Sequence, residues 1–237
     1  MSDIVIMAAG RGSRLMPLTK DKPKCMVEVN GKPIIQHLID NIHKSKIDID
    51  NIIIIYGYKG NVLLDYLNEV GTGFELCTIL QNKLDGTAGA ISLVEDIVIS
   101  DNFLVLSGDI IYKPEEIKLL TKKVNSLLYT TLNKKLYEYG TLDIEFLGAP
   151  IGDVIKFINE KSSRPTSSFV NCGAYHFTKD IFDYIRKTYI DNRFDEKIIT
   201  NTINLMIDDE IQFNGNYIEN LNEVSYVEDI KKVEKRL

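Results

Sequence analysis

The chain has 237 residues, 44% hydrophobic and 26% charged, enough for one substantial core and within the size range of a single α/β domain. A net charge of −6 argues against a general nucleic-acid binder, which needs a broad positive face to displace counterions, and no apolar run approaches the ~20 residues of a membrane span. The three scattered cysteines, Cys25, Cys77 and Cys172, suggest neither a disulfide framework nor a zinc pair; with no secretory leader pattern, a cytoplasmic protein with buried thiols is expected.

The first predicted element is a strand at Ile4, Val5 and Ile6, followed by the segment AAGRGSRLMPLTKDKPK from Ala8 to Lys24. Arg11, Arg14, Lys20, Lys22 and Lys24 gather there in a chain that is acidic overall. Gly10 and Gly12 allow backbone conformations closed to other residues, and successive amides of such a turn can point at phosphate oxygens. A dinucleotide fingerprint would need a third glycine where Leu15 stands, and a P-loop would need Gly-Lys-Ser/Thr. The reading is a polyphosphate cradle of another kind.

Strands are predicted at 52–56, 75–80 and 103–106, with helices at 34–43, 62–69 and 87–94 between strands. This order favours a largely parallel sheet covered by helices on both faces, with ligands at the carboxyl ends of the strands. Gln81 to Ile91, QNKLDGTAGAI, puts an amide side chain, a glycine and a helix-capping Thr87 at one such end. Leu106-Ser107-Gly108-Asp109 ends another strand on a carboxylate, and one strand-end Asp beside a phosphate loop is chemically enough to start a Mg2+ site. Beyond Lys134, short strands at 140–146, 154–158 and 170–176 precede helices at 180–187 and 196–206, so a small antiparallel subregion is expected on the same sheet. His37, His43 and His176 are read as structural.

Gly10, Gly12, Arg14, Leu15, Pro17, Leu18, Thr19, Pro23 and Lys24, followed by Gly31-Lys32-Pro33, resemble the N-terminal motif of the sugar-1-phosphate nucleotidylyltransferases. Further similar blocks recur in order along nearly the whole chain. The resemblance implies a three-layer, Rossmann-like α/β fold of GT-A type with a mostly parallel mixed sheet. It implies one nucleotidyltransferase domain over 1–237: a nucleotide-binding half at 1–112, and a half at 113–237 that binds sugar phosphate and carries the C-terminal helices. It assigns Ala8, Ala9, Gly10, Arg11, Gly12, Ser13, Arg14, Gln81, Gly86, Thr87 and Gly108 to the nucleotide. Gly140, Glu160, Lys161 and Asn171, in blocks resembling Y-G, F-x-E-K-P and V-N-x-G-x-Y, fall to the sugar phosphate, although Ser162 replaces the usual proline. Arg14, Lys24 and Asp109 are the implied catalytic set, with Mg2+ on Asp109 and a second carboxylate that is Glu223 or, in a shifted alignment, Glu228.

The implied reaction is in-line attack of a sugar 1-phosphate oxygen on the α-phosphorus of a nucleoside triphosphate, releasing pyrophosphate without a protein nucleophile. Gln81 before the glycine favours UTP or dTTP, because guanine-specific relatives tend to carry Glu there. Alternatives are a CTP-dependent phosphocholine cytidylyltransferase, a mannose- or heptose-1-phosphate guanylyltransferase, and a regulatory subunit that binds a nucleotide sugar without turnover. The absence of Trp weighs against an aromatic cage for choline. No nucleic-acid or membrane partner is expected; the sugar and any homo-oligomer are left open.

Overall fold

A computed structural model of the protein describes residues 2–237. β1 (Ser2–Ala8) is the early apolar run, with Ile4 and Ile6 on one face, Val5 on the other, and all three wholly buried. A strand covered on both faces reads as such a continuous apolar run. After the cradle come β2 (Glu28–Val29), β3 (Lys32–Pro33), α1 (Ile34–Ser45), β4 (Ile49–Tyr56), α2 (Gly60–Val70), β5 (Leu76–Leu80), α3 (Thr87–Ser92) and β6 (Asn102–Ser107). Then follow α4 (Pro114–Leu120), β7 (Ser126–Thr131), β8 (Gly140–Phe146), β9 (Asp153–Glu160), β10 (Phe169–Thr178), α5 (Ile181–Lys187), α6 (Ile199–Asp208), β11 (Phe213–Tyr217) and α7 (Val227–Glu234).

The main sheet has nine strands in the order β5-β4-β1-β6-β10-β7-β11-β9-β8. Strands β5, β4, β1 and β6 are parallel, as the βαβ pattern predicts. β10 runs antiparallel to both β6 and β7, and the β8–β9 hairpin pairs antiparallel with β11, which lies parallel to β7. The antiparallel region therefore extends further across the sheet than a small insertion.

Two cores flank the sheet. Val5, Ile53, Ile55, Phe103 and Val105 pack with Ile91 of α3, Ile185 of α5 and Ile203 of α6. Ile4, Ile6, Ile52, Ile54 and Leu104 pack with Leu38, Ile39 and Ile42 of α1, Leu63 of α2 and Ile117 of α4. Ile35, Leu38, Ile39 and Ile42 form one helical stripe whose burial contributes roughly 1.5–3 kcal/mol per side chain. A third, small core joins Leu15 of the cradle to Val27, Ile34, Ile111, Val224 and Val233. It roots the cradle against α7, near the opposite end of the chain.

Several elements depart from the predicted ones. The short β2 and β3, and β7, β11, α4 and α7, are absent from the predicted elements. The helix expected from residue 196 starts at Ile199, because Asp191 and Glu196 form a backbone bridge that closes a loop before it. The helix expected over 87–94 is regular only to Ser92 and runs on as turns. Among the described residues no helix is long and apolar enough to cross a membrane. Cys25 and Cys172 are buried, Cys77 half-buried, and all three are free thiols.

Candidate active site

The cradle leaves β1 at the carboxyl ends of the parallel strands. Gly12 sits at φ +65 with Lys24 Cβ and Thr19 against its open side, so a side chain there would meet both left-handed strain and steric overlap. Its carbonyl accepts bonds from Leu15 N at 3.0 Å and from the buried Thr19 hydroxyl at 2.8 Å. Among the described residues, no backbone amide from Gly10 to Arg14 donates to another group of the chain. An anion is the natural partner for such a run.

A cavity of about 350 Å3 opens beside it, lined by Ala8, Ala9, Gly10, Arg11, Lys24, Gln81, Gly86, Thr87, Gly108 and Asp109. Gly12, Ser13 and Arg14 are not on its wall. Gly12 packs behind Lys24, and Arg14 turns away to pair with Glu138 at 3.0 Å. At the far end, Gln81 is buried and donates its amide protons to Asp85 Oδ1 (3.1 Å) and the Gly86 carbonyl (3.3 Å), leaving Oε1 as an acceptor. Gly86 has φ +99, and a Cβ there would overlap the Lys197 carbonyl. The expectation that Thr87 caps its own helix is corrected: Gly86 is the N-cap, and the Thr87 hydroxyl accepts the Ile199 amide at 2.9 Å, tying α3 to α6.

A second cavity of about 190 Å3 adjoins the first, and Thr87, Ser107, Asp109 and Glu196 line both. Gly140, Glu160, Lys161 and Asn171 all line the second, so the structure brings together the four residues assigned to the sugar phosphate. Gly173, at φ +65, lets β10 bulge past Ser107. Asn171 there accepts from the Gly173 amide at 3.0 Å and donates to the Tyr175 hydroxyl at 2.6 Å. Burial raises the Glu160 carboxyl above the usual range, against Lys161 and the Thr200 hydroxyl, which donates to it at 3.1 Å. Arg193 donates to the Glu160 carbonyl at 2.9 Å and also binds Asp191, whose carboxyl it holds down at about 2. This clasp fixes the loop that carries Glu196.

Between the cavities, Asp109 meets Glu223 because Ile110 and Glu223 form a backbone bridge and Ile111 N bonds the Asn222 carbonyl at 3.1 Å. Lys24 donates to Asp109 and to Ser225 (3.1 Å), with Glu223 at 3.7 Å. Burial opposes the charge on Lys24, yet Asp109 and Glu223 together hold its ammonium above the usual value. Tyr139 donates to Glu223 at 2.9 Å, while burial and that carboxylate push its phenol up. Glu228 is exposed on α7, away from both cavities, so Glu223 is the carboxylate that meets Asp109. Among the described residues no group of three or more His, Cys, Asp or Glu is gathered for a metal. Asp109 and Glu223 are a pair of hard oxygen donors already sharing a cation, the ammonium of Lys24. That donor set fits Mg2+, which takes one or two carboxylates and completes its shell with phosphates and water.

Sequence reasoning missed Glu138, Glu196, Thr200, Leu221 and Ser225, which arrive from other elements by tertiary contact. Burial pushes the Cys25 thiol up to about 12, which keeps it in the neutral thiol form. His37 and His43 bond the Val29 and Thr72 carbonyls at 2.8 and 2.6 Å, and His176 bonds Asn102 at 2.8 Å, so all three serve the scaffold.

Fold and cavities together define an α/β protein of mixed-sheet type, with a basic glycine turn whose amides are open to an anion, two joined cavities and a carboxylate pair at their junction. Residues 3–221 match the nucleotidyl transferase family model, and the chain belongs to that family. It is 34% identical over 217 residues to the bifunctional protein GlmU of Methanocaldococcus jannaschii, a match covering 90% of this chain and 50% of that one. The chain thus spans about half the length of that relative. It is 30% identical to the UTP–glucose-1-phosphate uridylyltransferase AglF of Haloferax volcanii, over 98% of this chain and 95% of the relative. Among solved structures, a UDP-glucose pyrophosphorylase complexed with UDP-glucose superposes with a TM-score of 0.87 at 20% identity, covering 100% of this chain and 98% of that one. The apo form of a UDP-glucose pyrophosphorylase gives 0.86 at 20% identity, over 100% of both chains. At these identities the likeness shows the fold.

Proposed function

We propose that this protein transfers a nucleotidyl group from UTP or dTTP to a sugar 1-phosphate, releasing pyrophosphate. The observation that carries the reading is the pair of joined cavities, one under unclaimed cradle amides and the other holding Gly140, Glu160, Lys161 and Asn171, with Asp109 on the wall of both. Residues 1–112 supply most of the nucleotide chamber and 113–237 most of the sugar-phosphate chamber within one domain.

In this reading the amides of Gly10 to Arg14 hold the triphosphate tail, with Ala8, Ala9, Arg11 and Gly108 beside it. Lys24 exchanges Asp109 for the α-phosphate, and Arg14 draws off charge as pyrophosphate leaves. Gln81, with both amide protons spent, offers an acceptor, which suits the N3–H of uracil or thymine and not the unprotonated N3 of cytosine. Lys161 acts as a point charge on the sugar phosphate, while Glu160 and Asn171 meet sugar hydroxyls. Asp109 and Glu223 would hold Mg2+, which supplies charge neutralisation between phosphates when bound. Orientation is the main contribution, since two anions otherwise repel each other.

The test is pyrophosphate release across five nucleoside triphosphates and glucose, N-acetylglucosamine, mannose and heptose 1-phosphates, with phosphocholine alongside. Release with UTP or dTTP and one or more sugar phosphates is expected. Release only with CTP and phosphocholine, or nucleotide-sugar binding without any release, would reject the proposal.

A further inference from the structure

We propose that Glu138, backed by Tyr226, is a positioning residue that keeps Arg14 away from the nucleotide cavity and yields it to an arriving triphosphate. This rests on the function proposed above, since it takes the triphosphate to bind at the cradle. Ala8 to Arg11 line the cavity wall, whereas Arg14, with Gly12 and Ser13, does not. Its Nη1 donates to Glu138 Oε2 at 3.0 Å, with the Arg14 side chain 49% exposed and that of Glu138 only 10% exposed. The Tyr226 hydroxyl lies 3.0 Å from both Glu138 oxygens, so the carboxylate is fixed from behind. The guanidinium also sits 5.5 Å from the centroid of the Tyr226 ring, and Lys135 Nζ lies 3.8 Å from the same centroid.

The latch joins three parts of the chain: the cradle, the short turn Leu136–Glu138 before the sugar-phosphate loop, and the first residue capping α7. Glu138 itself lines the second cavity, and the next residue, Tyr139, holds Glu223. One loop therefore grips a cation meant for the nucleotide and a carboxylate placed for the metal. A half-exposed ion pair is weak, so a polyphosphate can outcompete it, yet its loss remains measurable. When Arg14 moves to the phosphates, Glu138 loses its partner at the edge of the sugar chamber. Nucleotide arrival is thereby communicated to the second substrate's site.

The test is equilibrium binding of an α,β-methylene analogue of UTP or dTTP, whichever the pyrophosphate assay prefers, with Mg2+ and without sugar phosphate. Glu138→Gln is expected to tighten binding by about two- to fivefold, and Tyr226→Phe to act in the same direction by less. Arg14→Ala is expected to weaken binding, and in that background Glu138→Gln is expected to have no effect. An unchanged or weaker affinity in Glu138→Gln, with normal binding by the wild type, would overturn the latch alone. A gain that persists undiminished in Arg14→Ala would overturn it too, because diffuse charge would then be the cause. No analogue binding by the wild-type protein would reject the proposed function and the latch together.

Discussion

At the scale of single residues, the site is a set of charges held in readiness on one another. Lys24 rests on Asp109 and Arg14 on Glu138, so in the absence of a polyanion each cation already has a carboxylate partner. Lys24→Ala and Asp109→Ala should each lower pyrophosphate release by about 100- to 1,000-fold, the usual cost of losing a group aimed at developing charge. Turnover at the wild-type rate in either variant would contradict the assignment. Gln81→Glu removes the amide protons that anchor the side chain to Asp85 and Gly86, and so should move nucleotide preference away from uracil and thymine, read as ratios of kcat/KM across the same five triphosphates. Identical ratios would show that this side chain does not read the base. The cradle was legible from sequence because its glycines, prolines and basic residues are local. Glu138 was not, because it meets Arg14 across 124 residues and its own neighbourhood carries no distinguishing pattern.

At the scale of elements, the loops are positioned by contacts that leave little freedom. Gly86→Ala would place a methyl on the Lys197 carbonyl at a φ of +99 and so disturb the seam between α3 and α6. A loss of roughly 1–3 kcal/mol is expected, seen as a lower melting temperature together with a raised nucleotide KM. Melting at the wild-type temperature would mean that the seam yields easily. Leu15→Ala should cost about 2–5 kcal/mol, because Leu15 is wholly buried between the cradle and α7. The elements that sequence reading missed share a physical cause. α7 buries only Val233 along its length, which gives a faint apolar stripe. β11 contains Gly215 and two asparagines, poor strand formers; a Cβ at Gly215 would press on the Tyr129 ring and Ile155, each 3.0 Å away. By contrast β1, β4 and β6, buried on both faces, declare themselves as apolar runs.

At the scale of the whole molecule, one sheet carries the walls of both cavities, and a buried carboxylate on its central strand links the fold to pH. Asp3 lies wholly buried at the start of β1, where burial opposes its ionisation but amides of Ser100 (2.9 Å) and Ile99 (2.8 Å) and the side chain of Asn51 (2.9 Å) hold it below the usual carboxylate range. A carboxylate whose folded value is depressed stabilises the fold above its unfolded value, about 3.9, and loses that contribution as pH falls through the folded one. Asp3→Ala should therefore cost about 1–3 kcal/mol at neutral pH and flatten the fall in stability below about pH 4, followed by denaturant unfolding across pH. Equal stability of the variant and wild type at pH 7 would contradict this. The parallel half of the sheet was legible from the strand–helix alternation. The extent of the antiparallel half was not, since β10 enters between β6 and β7 by long-range pairing that no local pattern announces. That insertion places Asn171 of β10 on the same cavity wall as Asp109, and Glu160 at the end of β9 lines that cavity too. The most direct measurement is a crystal structure with the methylene nucleotide analogue and Mg2+. Phosphates are expected on the Gly10–Arg14 amides, with Lys24 turned onto them and the ion between a phosphate and Asp109 with Glu223. Phosphates bound away from that turn, with Lys24 still on Asp109, would contradict it.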